Sequence, residues 1–168
     1  MSDSALYILD TSALIQAAKT YYAFDIAPTF WPHLVRLADE GNVISIDRVK
    51  SEIIRGKDDL SAWVESDFSA AFALTVNDQD VLNRYQAMIV WSQSHSEYTQ
   101  AAKSEFAGAD IADPWVMAYA QAKGGVVVSA EVFKKDIKRK IPIPNACGEL
   151  RIQHTTIYEM LRALRVRL

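Results

Sequence analysis

Cysteine is nearly absent: Cys147 is the one thiol in 168 residues. That excludes an intramolecular disulfide framework and fits a reducing compartment. No apolar run approaches the roughly 20 residues of a membrane span, and the opening MSDSALYILD carries no basic, signal-like start. These absences lead to the expectation of a soluble, cytoplasmic protein with no membrane association. Histidine is sparse as well. His33, His95 and His154 are scattered, without the spacing of a zinc site or of a Ser-His-Asp triad. Cys147 has no adjacent base, so no side-chain nucleophile stands out. No repeat, low-complexity tract or interdomain linker interrupts the chain. Residues 1–168 read as one domain, long enough to bury most of its unfolded surface unaided. A basic surplus is also missing, since 18 Lys and Arg face 21 Asp and Glu for a net charge of −3. As a single number this speaks against nucleic acid, but the two ends differ. Residues 1–123 hold 9 basic and 17 acidic side chains, whereas 124–168 hold 9 basic and 4 acidic.

Short apolar runs alternate with helical patterns. ALYILD (Ala5–Asp10), NVISID (Asn42–Asp47) and GVVVSA (Gly125–Ala130) have the character of buried strands. Asp10-Thr11-Ser12 is placed to cap a helix through ALIQAAK, and Asp47 to cap one running through Val49, Ile53 and Ile54 to Gly56. Pro28 and Pro32 flank the entry to a helix that closes at Gly41-Asn42. Asn77-Asp78 precede a helix with Val81, Tyr85, Met88 and Ile89 on one face, and a weaker helix surrounds Tyr98, Ala102 and Phe106. Asp113-Pro114 open a strong helix that Gly124-Gly125 end. Leu150-Arg151-Ile152 is read as a final edge strand, and Thr156 with Glu159 as the capping box of the last helix. The alternation predicts an α/β fold: a mostly parallel sheet with helices on both faces.

Four carboxylates fall near strand ends or in the helices that follow. Asp10 follows the first strand, Glu52 lies in the helix after the second, Asp113 opens a helix, and Glu131 follows VVVS. Ligands of parallel sheets sit beyond the carboxyl ends of the strands, so such acids converge on one crevice. Clustered carboxylates repel one another unless a cation neutralises them. Hard oxygen donors without a Cys or His pattern suit Mg²⁺ or Mn²⁺, which activate water in phosphodiester cleavage. Taken singly, each acid has an ordinary role: a helix cap for Asp10 and Asp113, a solvated charge for Glu52, a first-turn helix acid for Glu131.

YILDTSALI (Tyr7–Ile15), RVKSEIIRG and ADPWVMAYAQAKGGVVVSAE (Ala112–Glu131) together resemble the PIN-domain nucleases, most of all their toxin-type, VapC-like branch. The resemblance implies a PIN-like three-layer fold and a metal-dependent endoribonuclease, the toxin of a toxin–antitoxin pair. An RNA substrate, an antitoxin protein that blocks the site, and frequent homodimerisation come with it. Asp10, Glu52 and Asp113 take the family's three usual acidic places, and Ser12 takes the small-hydroxyl place that orients the first aspartate. The fourth acid, usually aspartate, is here Glu131. Asp110, three residues before Asp113, is an extra acid that serves as an outer ligand or a cap. Residues from about 77 to 107 fall outside the resemblance and read as a helical insertion.

KKDIKRK (Lys134–Lys140) follows the fourth acid with five basic residues. Lys134, Lys135, Lys138, Arg139 and Lys140 are the candidate contacts to RNA phosphates. Ile141 to Pro144 reads as an extended segment that holds this loop. Trp31, Trp63 and Trp91 read as core or interface anchors, and Trp115 as packing beneath the acids. Two alternatives stay open: a phosphotransfer or phosphatase domain with Asp10 as nucleophile, and a PIN-like module that binds RNA or a partner without catalysis.

Overall fold

The computed structural model describes residues 5–168. Five parallel strands form one sheet in the order β3-β2-β1-β4-β5. They are β1 (Tyr7–Leu9), β2 (Val43–Ile46), β3 (Phe72–Ala73), β4 (Val126–Val128) and β5 (His154–Thr155). Tyr7 pairs with Val43 on one side and Val126 on the other, so β1 sits at the centre. All of β1 and β4 is buried, which is why they read as unbroken apolar runs rather than alternating ones. Gly125 leads into β4 beneath Ile8: a Cβ there would stand 2.2 Å from Ile8 Cδ1 and 3.0 Å from the Leu6 carbonyl, so a side chain at this position would force Ile8 to move.

Around the sheet lie α1 (Thr11–Gln16), α2 (Phe30–Asp39), α3 (Asp47–Ile54), α4 (Asp59–Ser66), α5 (Gln79–Ser94), α6 (Gln100–Phe106), α7 (Asp113–Lys123), α8 (Ile143–Leu150) and α9 (Ile157–Ala163). The helix α1 widens into a π-helical turn, Ala17–Tyr21. The helix α7 packs on β1, β2 and β4, and α5 packs along α7. Tyr85 of α5 stacks on Trp115 of α7 at 3.7 Å, and the Arg48 guanidinium lies 4.4 Å from the Trp115 ring. The predicted insertion is therefore joined to the core, with Val81 and Met88 fully buried in it. A second aromatic cluster links α2 and α4, with Trp31 4.7 Å from Trp63, and Trp63 4.7 Å from Phe68. Among the described residues no helix is long and apolar enough to cross a membrane.

Four local expectations are corrected. Asp47 does not cap α3 but is its first residue, with Ile46 in the cap position and no side-chain cap. Leu150–Ile152 is not a strand: Leu150 ends α8, Arg151 turns the chain at φ 57°, and the edge strand is His154–Thr155. Ile141–Pro144 is not extended throughout, because Ile143 and Pro144 form the first turn of α8, where a proline needs no hydrogen-bond partner. The chain after β4 does not enter a helix at Glu131, which lies in a loop reaching to α8.

Candidate active site

The strands β1, β2 and β3 run out to one edge of the sheet, and the chain then returns to the other side for β4 and β5. The order reverses between β1 and β4, so a crevice opens past their carboxyl ends. A cavity of about 260 Å³ occupies this place. Asp10, Ser12, Glu52, Asp113 and Glu131 all line it, with Thr11, Glu105 and Lys140. Ile15, Ala102, Phe106, Ile111 and Ile141 complete its apolar walls.

Asp10 is 2 % exposed. Its Oδ2 caps α1 by accepting from Ser12 N at 3.3 Å, and accepts from Ser12 Oγ at 2.6 Å and Ser129 Oγ at 3.3 Å. The helix-cap role is thus real, but it uses one oxygen. Asp10 Oδ1 is buried with no hydrogen-bond partner, an arrangement that normally costs about 1–3 kcal/mol. Burial raises the Asp10 pKa from 3.8 to about 6; the Ser12 bond opposes the rise, and Glu131 and Glu52 reinforce it. Asp113 is driven well above the usual carboxylate range, first by burial, then by Asp10, Glu131 and Glu52, with Lys140 acting in the opposite sense.

Glu52 is held by two donors, the Thr11 hydroxyl to one oxygen and Ala112 N to the other at 2.8 Å. Glu131 Oε2 accepts from Ile143 N at 2.7 Å, satisfying an amide at the start of α8, and Lys140 Nζ lies 4.0 Å from its Oε1. Ser12 Oγ also accepts from Ala130 N at 3.0 Å, which ties the end of β4 to the start of α1. Beneath the site Cys147 is fully buried, and burial with the nearby Asp10 and Glu131 pushes its thiol up to about 12. It is no thiolate nucleophile at neutral pH.

Asp110 does not join the crevice. The helix α7 begins at Asp113, so the three-residue spacing is not helical, and Asp110 points to solvent with an 84 % exposed side chain, 3.8 Å from Arg55. His95 pairs with Glu149 at 3.0 Å, far along the chain from the acids. Two residues of the crevice, Thr11 and Glu105, carry no motif of their own. Thr11 sits inside the Asp-Thr-Ser turn that marks Asp10, and that adjacency is its one signal in the sequence. Glu105 comes from α6, where no strand end marks it.

Among the described residues, no three His, Cys, Asp or Glu side chains form a group that could hold a metal ion as placed. Glu52 and Glu131 are each engaged by protein donors. The donor set still fits a hard divalent cation: every acid is an oxygen donor, all four share one cavity, and Asp10 Oδ1 has no other partner. Burial first and the neighbouring carboxylates after it raise Asp10 and Asp113, and a cation would relieve the repulsive part of that rise.

In the crystal structure of VapBC2 from Rickettsia felis bound to a DNA fragment from their promoter, one chain is similar at a TM-score of 0.52 and 13 % identity, over 90 % of this chain and 98 % of that one. VapBC-1 from nontypeable Haemophilus influenzae is similar at a TM-score of 0.49 and 12 % identity, over 90 % and 97 %. No curated protein matches. The architecture is thus the PIN-like α/β fold of VapC-type structures, as the motifs implied. The chain belongs to the family described as Domain of unknown function (DUF4411), whose model matches residues 7–168.

Proposed function

We propose that this protein is a divalent-metal-dependent endoribonuclease of the PIN type, one 1–168 domain with α5 and α6 as its insertion, acting as the toxin of a toxin–antitoxin pair. The observation that carries the reading is the buried, unpartnered Oδ1 of Asp10, a residue that lines one cavity together with Glu52, Asp113 and Glu131. Asp10, Glu52 and Asp113 hold the cation, and Glu131 assists from the loop. Bound Mg²⁺ or Mn²⁺ supplies the Lewis acidity that makes water a nucleophile and offsets charge on the phosphate.

The chain's own residues prepare that chemistry. Ser12 fixes the Asp10 carboxylate through its 2.6 Å bond, and Thr11 with Ala112 N fixes Glu52. Lys140 brings a positive charge to the acidic wall, and Lys134, Lys135, Lys138 and Arg139 continue it outward to meet the RNA backbone. An antitoxin partner, supported by the VapBC2 complex to which the fold is similar, and a homodimer complete the reading. The Asp10-nucleophile alternative has less support, because one of the Asp10 oxygens is already held by Ser12 and Ser129.

The test is cleavage of an end-labelled single-stranded RNA at single turnover. Wild type cleaves with Mn²⁺ or Mg²⁺ and stops with EDTA, while Asp10→Asn and Asp113→Asn lose at least about 10³-fold, the scale of losing a central catalytic group. Retained cleavage in either variant, or in EDTA, overturns the proposal. A folded wild type that binds RNA without cutting it would instead be a binding module.

A further inference from the structure

We infer that Phe133 is a base-stacking platform that selects unpaired RNA at the mouth of the crevice; this rests on the nuclease reading above. Val132 and Phe133 are 71 % and 63 % exposed, and they lie directly after Glu131, which lines the acidic cavity. Exposed aromatic surface in a slack loop would fold back onto the protein. This loop is not slack. Ala130 N donates to Ser12 Oγ at 3.0 Å, and Glu131 N to Ser129 Oγ at 3.1 Å. Glu131 is also fastened to Ile143 N. On the other side, Lys134 N donates to Asn145 Oδ1 at 3.0 Å while Asn145 Nδ2 donates back to Lys134 O at 2.8 Å. Thr99 N donates to Lys138 O at 2.8 Å, and Ile137 tucks against the core. Phe133 is held outward between two clamped residues, and the backbone entropy of ordering it is already lost before any ligand arrives.

Its surroundings name the ligand. Lys134, Lys135, Lys138 and Arg139 are exposed and make no ion pair among the described residues, with Asp136 as the one acid in the stretch. Such a cationic segment beside an apolar antitoxin contact would gain nothing from its charge, whereas a polyanion with flat apolar faces uses both features. Nucleic-acid strands are that polyanion: phosphates meet the cations and a base lies on the ring. Phe133 is two residues from Glu131, at most about 7 Å along the backbone. A base on the ring is therefore within a nucleotide or so of a phosphate in the crevice. Paired bases are stacked within their own helix, so the platform favours unpaired ones.

Binding is measured in EDTA, so the test does not depend on cleavage. Fluorescence anisotropy compares wild type, Phe133→Ala and Phe133→Trp on three probes: a single-stranded oligoribonucleotide, an abasic strand of equal length and charge, and a duplex. Phe133→Ala raises the Kd for the base-bearing strand roughly 5- to 100-fold, the range for loss of one stacked base, and leaves the abasic strand and the duplex unchanged. Phe133→Trp restores affinity, and the strand quenches its added fluorescence relative to wild type. Unchanged affinity of Phe133→Ala, or an equal loss on the abasic strand, overturns the platform while leaving the nuclease reading intact. A wild type that binds none of the probes at low salt overturns the platform, and the nuclease reading is then decided separately by Mn²⁺-dependent cleavage.

Discussion

Replacing Asp10 with asparagine should stabilise the metal-free protein at neutral pH while silencing the site. Asp10 is buried and its pKa is raised from 3.8 to about 6. A carboxyl with a raised folded pKa favours the native state while it is protonated. That contribution is complete below about pH 4 and is lost as pH rises through about 6. Ionising Asp10 inside the fold therefore costs about 3 kcal/mol relative to ionising it unfolded, from roughly two units at 1.36 kcal/mol each. The asparagine side chain has no charge to ionise and still caps α1 as well as aspartate does. Urea unfolding in EDTA at pH 7 should show a gain approaching 3 kcal/mol, or about 6–12 °C in Tm for a domain of this size. At pH 4 wild-type Asp10 is already protonated, and the gain should vanish. Asp113 is shifted in the same direction, so it too takes stability from the wild type as pH rises above the usual carboxylate range. Asp58 and Asp78, whose pKa values are lowered, act only as pH falls below their usual range and do not mask the effect. A gain equal at both pH values, or a loss at pH 7, would refute the electrostatic account.

Three further outcomes follow from named contacts. Thr11→Val removes the hydroxyl that holds Glu52 and leaves α1 intact; cleavage should fall about 10- to 100-fold, as for residues that orient metal ligands, with Tm nearly unchanged. Glu131→Ala strands the Ile143 amide at the start of α8 and should cost about 1–2 kcal/mol in urea unfolding, whereas Glu131→Gln, which keeps an acceptor, should cost less than half of that. Alanine at Lys134, Lys135, Lys138 or Arg139 should lower the slope of log Kd against log salt by about 0.7 for each phosphate of a single strand that the loop no longer neutralises. A slope unchanged by the substitutions would remove the loop from the RNA interface.

The central strands and the acids were legible because both are signalled locally. Tyr7–Leu9 and Val126–Val128 are buried on both faces and so are apolar without interruption, and turn residues end each of them. Asp113-Pro114 and Gly124-Gly125 bracket α7 through backbone preferences that sequence displays directly. The parts that escaped depend on tertiary partners. The strand β3 is only Phe72–Ala73, too short for any period, and exists because Ser45 and Ile46 lie beside it. The helix α4 is opened by Asp58 and Ser61, each capping the other, with serine where glutamate or glutamine usually advertises the box. The helix α8 contains Pro144 and Gly148, which read as breakers, yet the proline falls in its first turn and Ile143, Ala146 and Cys147 are buried against the core. Glu105 enters the crevice only because α6 folds over it, and Phe133 gains meaning only when its loop is seen to be clamped.

The claim that the four acids form a divalent-cation site is tested most directly by crystals soaked in Mn²⁺ and measured at the manganese absorption edge. An anomalous peak is expected in the crevice within coordination distance of Asp10 Oδ1 and Asp113, with Glu52 or Glu131 turned from its protein donor toward the ion. A crevice without such a peak, in crystals that bind Mn²⁺ elsewhere on the protein, would contradict it.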